Sequence, residues 1–363
     1  MLRRELIRYG LVTLTSSGLA NAAERWTGGR GAILMLHRVR PYEDKAFQPN
    51  AHLEVTPQFV DHALRDLRRL GTEFIAIGEV PERLANPGAG RFLAVTLDDA
   101  SLDNLTYGID VFSSNDCPFT VYVTSGFVDR TALPWWIILE EVIARRAIVD
   151  TRPFGGKNAE VLGSLQQKRR AFARLSVRFK MLPEAEKQSR IQEFAAMHGL
   201  TVDAIMNKNF MNWKQLEILA KSPLATIGGH TLSHPMLARL TASDARAEIV
   251  LGAERLQEKI GTYPKHFAYP YGDSEAAGKT MFNLVEQLGF ATGVTTRGGI
   301  LKGNGREHLS ALPRVSLNGH YQDIRALRAL FSGFPFIGRS NGSGTLFRHF
   351  SGLGRRDAAS TRL

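Results

Sequence analysis

Residues 92–99 read Phe-Leu-Ala-Val-Thr-Leu-Asp-Asp, a mostly apolar run of six residues followed by two adjacent carboxylates. A short apolar run of this kind is typical of a parallel strand that is covered on both faces. In α/β barrels the active site lies at the carboxyl ends of the strands. Asp98 and Asp99 therefore mark a candidate site, although an acid pair after a strand also commonly caps a helix.

Similar apolar runs recur along the chain, separated by stretches with helical periodicity. The runs that we expect to form strands are residues 32–36, 119–123, 225–228, 266–269 and 291–295 and a later run around 312–315. The helices that we expect between them include residues 56–70, which start at Thr56-Pro57 and stop at Gly71, 243–260 and 276–288. Regular strand–helix alternation implies a parallel sheet, and its repetition favours a distorted (β/α) barrel.

The alternation divides the chain into three parts. We expect a helical lead-in at residues 1–31, the barrel at residues 32–331 and a flexible tail at residues 332–363, which is rich in glycine, serine and arginine. Residues 130–210 interrupt the rhythm with the Trp135-Trp136 pair and a charged helical stretch at 165–180. We interpret this segment as a helical insertion between barrel strands.

The lead-in admits two interpretations. Arg3 and Arg4, a mildly apolar stretch and small residues at 20–22 resemble a weak export signal. Spaced leucines fit one face of an amphipathic helix equally well, and they are Leu6, Leu11, Leu14 and Leu19. We expect a retained helix and favour a cytoplasmic location, with export as the alternative. No run approaches the roughly 18 apolar residues of a membrane span.

The formal net charge is +11 and the pI is near 9.9. The basic residues are scattered, and no zinc-finger spacing or RNA-binding aromatic motif accompanies them, so we expect no nucleic-acid partner. A basic surface also suits anionic membranes or acidic glycans, which leaves peripheral membrane contact open. The single cysteine, Cys117, excludes an intrachain disulfide. A metal site would therefore use histidines and carboxylates.

Two further patterns follow predicted strands. His230 and His234 are four residues apart in Gly-His-Thr-Leu-Ser-His-Pro, a spacing that often places two imidazoles on one metal, although a lone pair is more often structural. Residues 267–272 read Phe-Ala-Tyr-Pro-Tyr-Gly, where proline and glycine indicate a rigid turn whose backbone N–H groups could face the barrel mouth. Two imidazoles and one acid would supply the three protein ligands of an open zinc site.

In this order, the three patterns resemble the polysaccharide deacetylases, carbohydrate esterase family 4 with its NodB homology domain. The family's usual Thr-Phe-Asp-Asp-Gly has Leu97 and Ala100 at its second and last positions here but keeps both acids, and His-Thr-x-x-His-Pro is matched at residues 230–235. Asp103 and Asn104 also resemble the family's continuation. The resemblance spans about residues 32–317 and implies a deacetylase barrel.

The resemblance also implies roles for individual residues. Asp99, His230 and His234 would bind a divalent metal, most often Zn²⁺, with Co²⁺, Ni²⁺ or Mn²⁺ as alternatives. Asp98 would be the general base that takes a proton from the attacking water. The backbone N–H of Tyr271 would stabilise the oxyanion.

Two positions depart from the family pattern. The third motif often begins with an arginine that orients the base, and Phe267 or Ala268 stands there, so we expect Arg314 to reach in from the following strand. The usual general-acid histidine near the C-terminus has no clear match. We expect His37, in Met-Leu-His-Arg-Val at the end of the first strand, to take that role as in a permuted subgroup. A structural histidine is its main competitor, and His308 and His320 are the next candidates.

The resemblance implies hydrolysis of N-acetyl groups on N-acetylglucosamine-containing oligo- or polysaccharides, with release of acetate. Chitooligosaccharides and surface polysaccharides are both compatible substrates. The departures at Leu97 and Ala100 suggest an alternative of another class, a weakly active or non-catalytic glycan-binding protein on the same fold.

Overall fold

The apolar runs form seven parallel strands whose pairing closes into a barrel. The strands are β1 (Gly31–Leu36), β2 (Phe92–Leu97), β3 (Phe119–Val123), β4 (Ala225–Gly229), β5 (His266–Ala268), β6 (Thr292–Gly298) and β7 (Leu312–Ser316). Strand β1 pairs with β2 along its whole length and with β7 on its other side, which closes the ring. This computed structural model describes residues 2–86, 88, 90–305 and 307–337, and it confirms the predicted (β/α) barrel.

The barrel is regular on one side and distorted on the other. Every residue of β1, β2 and β3 is buried, which explains their continuous apolar sequences. By contrast, β4 and β5 share one residue pair, Gly229 with Phe267, and the register between β6 and β7 shifts between Val294 and Gly298. The predicted strand at 266–269 is one residue shorter, and the one at 291–295 extends to Gly298.

Short strands lie outside the ring. Glu73–Phe74 also pairs with β2, Arg38–Val39 pairs with Glu54–Val55, and Ile148–Asp150 forms an antiparallel hairpin with Ala159–Val161.

Helices surround the barrel. They are α1 (Leu2–Ser16), α2 (Leu19–Thr27), α3 (Pro57–Arg69), α4 (Val80–Ala85), α5 (Ile109–Ser114), α6 (Ser125–Asp129), α7 (Trp135–Arg145), α8 (Leu165–Met181), α9 (Glu184–Met197), α10 (Val202–Asn209), α11 (Trp213–Ala220), α12 (Ala242–Ile260), α13 (Lys279–Gln287) and α14 (Ile324–Phe331). A π-helical turn, Asn104–Gly108, precedes α5.

Local capping sets the helix bounds. The Thr56 hydroxyl accepts a hydrogen bond from the Phe59 N–H at 3.2 Å, so α3 begins where predicted. The prediction for α13 was wrong at its start. The Asp273 carboxylate accepts from the N–H groups of Glu275 and Ala276, both at 2.9 Å, which holds a turn there and delays the helix to Lys279.

Helices α7, α8, α9 and α10 and the hairpin make up the segment predicted as a helical insertion. The insertion has its own apolar core, which includes Phe47 from the loop after β1 packed edge-on against Phe172. Since that loop and the insertion share a core, they form one cover over the same end of the barrel.

The lead-in helices pack against the C-terminal part of the described chain, with α1 along α14. Leu11 is buried, but Leu6 and Leu19 are 62% and 56% exposed, so the leucine stripe was wrong at those two positions. The Thr27 hydroxyl donates to the Ser332 carbonyl at 2.7 Å, so the chain stays packed just past α14. The rest of the predicted tail, residues 338–363, lies outside the described residues. Within the described ranges, no helix is both long and apolar enough to cross a membrane.

Candidate metal centre and active site

The site residues follow the carboxyl ends of separate strands. Asp99 follows β2, His230 and His234 follow β4, and Tyr271 follows β5. Because parallel strands present these ends at one mouth, residues distant in sequence meet there.

Asp99, His230 and His234 converge. The Asp99 Oδ1 atom is 3.5 Å from His230 Nε2 and 3.4 Å from His234 Nε2, and one ligand atom from each residue lies within 4.8 Å of the others. Ligands about 2.0–2.1 Å from a tetrahedral zinc stand roughly 3.4 Å apart, so these separations match that geometry. Across the part of the chain that the structure describes, the buried Asp99 Oδ1 has no hydrogen-bond partner. A divalent cation would satisfy that oxygen, so the residues fit such a group.

A hydrogen bond orients His230, and burial keeps His234 neutral. The His230 Nδ1 atom lies 2.7 Å from the Ala268 carbonyl, which orients Nε2 towards Asp99. Burial lowers the pKa of His234 to about 3, so its imidazole is neutral and able to bind a cation. Burial also lowers the pKa of His230, but the contact with Asp99 outweighs it, and the net shift is upward.

The backbone around the site adopts a costly conformation. Asp99, Ala100, Thr231, His234 and Tyr271 have φ values of 75°, 57°, 65°, 64° and 60°. Left-handed backbone costs a residue with a Cβ atom of order 1 kcal/mol and persists where the surroundings enforce it. Ala100 stands where the resembling family usually has glycine, and it keeps the turn without glycine's freedom. Strain concentrated in the three motifs supports a functional role for these turns.

Asp98 is paired by the chain itself. The Arg314 guanidinium donates to Asp98 Oδ1 and Oδ2, both at 2.7 Å, and to the Thr295 carbonyl at 2.8 Å. Burial alone would raise the pKa of the Asp98 carboxyl, but the charge and hydrogen bonds of Arg314 hold it well below its ordinary range. Arg314 therefore reaches Asp98 from β7, where the sequence had placed a substitute for the missing arginine.

His37 ends β1 beside the same acid. Its Nε2 atom is 4.0 Å from Asp98 Oδ2, and its side chain is 21% exposed. Burial lowers the pKa of His37 despite the nearby charges of Asp98 and Asp99. The neighbouring Arg38 donates to Asp103 at 2.8 Å, a buried ion pair that fixes the end of β1 against the loop after β2.

The two other candidate histidines lie elsewhere. His308 precedes β7 and so belongs to the opposite end of the barrel, where it lies 3.9 Å from Glu286. His320 follows β7 at the mouth, and its ring is 5.8 Å from that of His52. Of the three, His37 contacts the acid pair.

The insertion supplies an aromatic wall that sequence reasoning missed. The Trp136 ring lies 5.2 Å from that of His234, and Trp135 Nε1 donates to the Tyr271 hydroxyl at 2.9 Å. The Trp pair was noted only as part of the insertion, because no local spacing connects residues that lie 98 and 136 positions apart.

Comparisons with known proteins bear on the family and the fold of this chain. The family model described as polysaccharide deacetylase matches residues 85–293. No curated protein sequence matches the chain. Among solved structures, the Streptococcus pyogenes deacetylase PplD in complex with acetate is 18% identical, with a TM-score of 0.51 over 79% of this chain and 92% of that one. IcaB from Ammonifex degensii is 17% identical, with a TM-score of 0.50 over 84% of this chain and 97% of that one.

These structural likenesses establish the fold, and the family model covers more than half of the sequence. The chain therefore belongs to the polysaccharide deacetylase family, which places it among the hydrolases that act on polysaccharide amides.

Proposed function

We propose that this protein is a divalent-metal-dependent deacetylase that removes acetyl groups from N-acetylglucosamine-containing oligo- or polysaccharides. The observation that carries the proposal is the unpartnered Asp99 Oδ1 between two histidine Nε2 atoms, beside the Asp98–Arg314 pair. Zinc is the first choice of metal, and cobalt, nickel and manganese suit the same ligands. When bound, such a cation would polarise the acetyl carbonyl and make a water molecule more acidic.

The protein's own residues would handle the protons. Asp98, kept ionised by Arg314, would accept a proton at Oδ2 from the attacking water. The low pKa makes Asp98 a weak base, but it keeps the base deprotonated before every turnover. Burial lowers the pKa of His37, so its resting imidazole is neutral. Its Nε2 atom, 4.0 Å from Asp98 Oδ2, would receive the proton that Asp98 takes from the water and donate it to the sugar nitrogen, because an amide nitrogen leaves poorly as an anion. The Tyr271 backbone N–H would stabilise the negative oxygen of the tetrahedral intermediate.

Chitooligosaccharides serve as the first test substrate, with a surface polysaccharide as the alternative of the same chemistry. We expect the purified protein to release acetate from chitotetraose, to lose the activity with a chelator and to regain it when a divalent metal is restored. His308→Ala is a suitable folded control because His308 lies at the opposite end of the barrel.

The competing function is glycan binding without turnover, which the departures at Leu97 and Ala100 favour. Isothermal titration with chitotetraose separates the two. Binding without acetate release from chitotetraose or from larger N-acetylated glycans, with metal present, would replace the proposed reaction by the binding function.

A further inference from the structure

We propose that Trp135, on the insertion, is a positioning residue that sets the backbone N–H of Tyr271 for catalysis. This inference rests on the proposed function, because it assumes that this N–H stabilises the oxyanion. It gives the insertion a part in the reaction itself, beyond covering the barrel mouth.

Trp135 contacts Tyr271 directly, and packing within the insertion holds its ring in place. Trp135 Nε1 donates to the Tyr271 hydroxyl at 2.9 Å. The Trp135 ring stacks on Phe179 of α8 with centroids 4.9 Å apart and planes inclined by 24°, and both side chains are buried. Since α7 and α8 pack together within the insertion core, the indole N–H is held in a fixed direction.

Tyr271 needs such an anchor. Its φ of 60° is left-handed, which disfavours a residue with a Cβ atom. On the backbone side, Thr296 holds the turn: its hydroxyl donates to the Tyr271 carbonyl at 2.6 Å, and its N–H donates to the Gly272 carbonyl at 3.1 Å. On the side-chain side, the phenol is anchored by Trp135.

Burial makes the side-chain anchor costly to lose. The Tyr271 side chain is partly buried against the insertion core, where a hydroxyl has less access to water and needs a hydrogen-bond partner within the protein. The Lys180 ammonium, also on α8, lies 5.3 Å from the centre of the Tyr271 ring. Tyr271 is thus held between β6 and the insertion, and a shift on the insertion side would rotate the peptide that carries its N–H.

The test is a double-mutant cycle. Trp135→Phe removes the indole N–H but keeps a ring against Phe179, and Tyr271→Phe removes the acceptor but keeps the backbone. We expect each to lower kcat about 10-fold with KM and bound metal unchanged, since small misplacements at a reacting centre cost about 10² or less. We expect the double variant to be about as slow as either single one, because both remove the same contact.

Trp213→Phe is the matched control. Trp213 also donates its indole N–H at 2.8 Å, but its acceptor is Asp129 Oδ1 on α6, which is not one of the proposed site residues. It should lose stability as Trp135→Phe does while keeping kcat. Multiplicative losses in the cycle, or an equal loss of kcat in Trp213→Phe, would overturn the positioning role.

A second measurement separates this inference from the proposed function. In protein labelled with ¹⁵N-tyrosine, the Tyr271 amide resonance should move in Trp135→Phe and stay in Trp213→Phe, whatever the activity. A wild type that releases no acetate overturns the proposed function and with it any catalytic role of the contact. An active wild type whose Tyr271 amide does not move in Trp135→Phe overturns the positioning role alone.

Discussion

The negative charges of Asp98 and Asp99 are compensated in different ways in the two halves of the site. Asp98 and Asp99 are adjacent and both are buried. On the Asp98 side, both carboxylate oxygens accept hydrogen bonds from the Arg314 guanidinium, so the chain supplies its own counter-charge. On the Asp99 side, Oδ1 faces two histidine Nε2 atoms at 3.4–3.5 Å and has no hydrogen-bond partner within the described ranges.

The difference indicates which of the two acids requires a counter-charge that the chain does not supply. A buried carboxylate without compensation is costly, and the usual remedies are a fixed cation, a bound metal or a raised pKa. Asp98 has the first, and the surroundings of Asp99 suit the second. Glu140 on α7 shows the third: burial raises its pKa to about 7, and the Asn50 amide donates to it at 2.7 Å. Each prediction below alters one of these arrangements.

Removing a ligand from the Asp99 side should have the largest effect. His234→Ala leaves two ligands, so we expect loss of bound metal and, since Lewis-acid stabilisation is worth several kcal/mol, a fall in turnover of roughly 10³-fold or more. Elemental analysis and acetate release measure the two losses. His308→Ala should keep both, and stoichiometric metal in purified His234→Ala would remove His234 from the ligand set.

Neutralising the Asp98 side should leave the metal in place. Asp98→Asn removes the proposed base, so we expect turnover to fall about 10³-fold, within the usual range for acid–base groups, with near-normal metal content. The variant also leaves the buried Arg314 guanidinium without its counter-charge, which should cost about 3 kcal/mol in the free energy of unfolding. Full activity in a folded, metal-loaded variant would show that another group is the base.

The effect of replacing His37 should depend on whether the leaving group of the substrate needs a proton. His37→Ala removes the proposed acid, so we expect turnover of an N-acetyl sugar to fall about 10²-fold with metal retained. An aryl acetate ester, whose phenolate leaves without a proton, should lose much less. Comparing the two substrates on the same preparation is the measurement. Equal losses on both would assign His37 a structural part.

The barrel and the insertion also differ in how much of their structure the sequence predicts. The strands of the barrel and the three motifs were predicted because each signal is local: an apolar run, a spacing of four residues or a proline–glycine turn. Arg314 was inferred from what the third motif lacks, and the structure places its guanidinium on Asp98.

The insertion was harder to predict because its important contacts are long-range. Trp135 meets Tyr271 across 136 positions, and the hairpin at 148–161 has no strong strand pattern. Leu6 and Leu19 fitted a helical face but point to solvent, because periodicity indicates a face and does not say what covers it. The start of α13 depended on one carboxylate in a turn.

A conservative change at Arg314 should give a smaller effect than loss of the base. Arg314→Lys keeps the charge but loses the planar fork that donates to both Asp98 oxygens. Losing one charge-assisted hydrogen bond of about 1.5 kcal/mol corresponds to a fall in turnover of roughly 10-fold. Kinetics at fixed metal loading measure it. Unchanged turnover in this variant would mean that positive charge alone suffices beside Asp98.

The last prediction concerns Glu140, whose substitution should change stability and not turnover. Its carboxyl has a pKa near 7 in the folded protein against 4.5 ordinarily, because burial disfavours the charge. Between these values the folded state keeps a proton that the unfolded chain has released, so stability falls as pH rises through that window. Glu140→Gln keeps the shape without the charge. It should leave stability nearly unchanged near pH 4 and raise the free energy of unfolding at pH 8 by about 3 kcal/mol. Denaturant titrations at both pH values measure this.

The control is Glu141→Gln, which breaks an ion pair with Arg145 at 2.6 Å and should bring no gain in stability. A Glu140→Gln gain of equal size at both pH values would mean that packing, and not the buried charge, limits stability there.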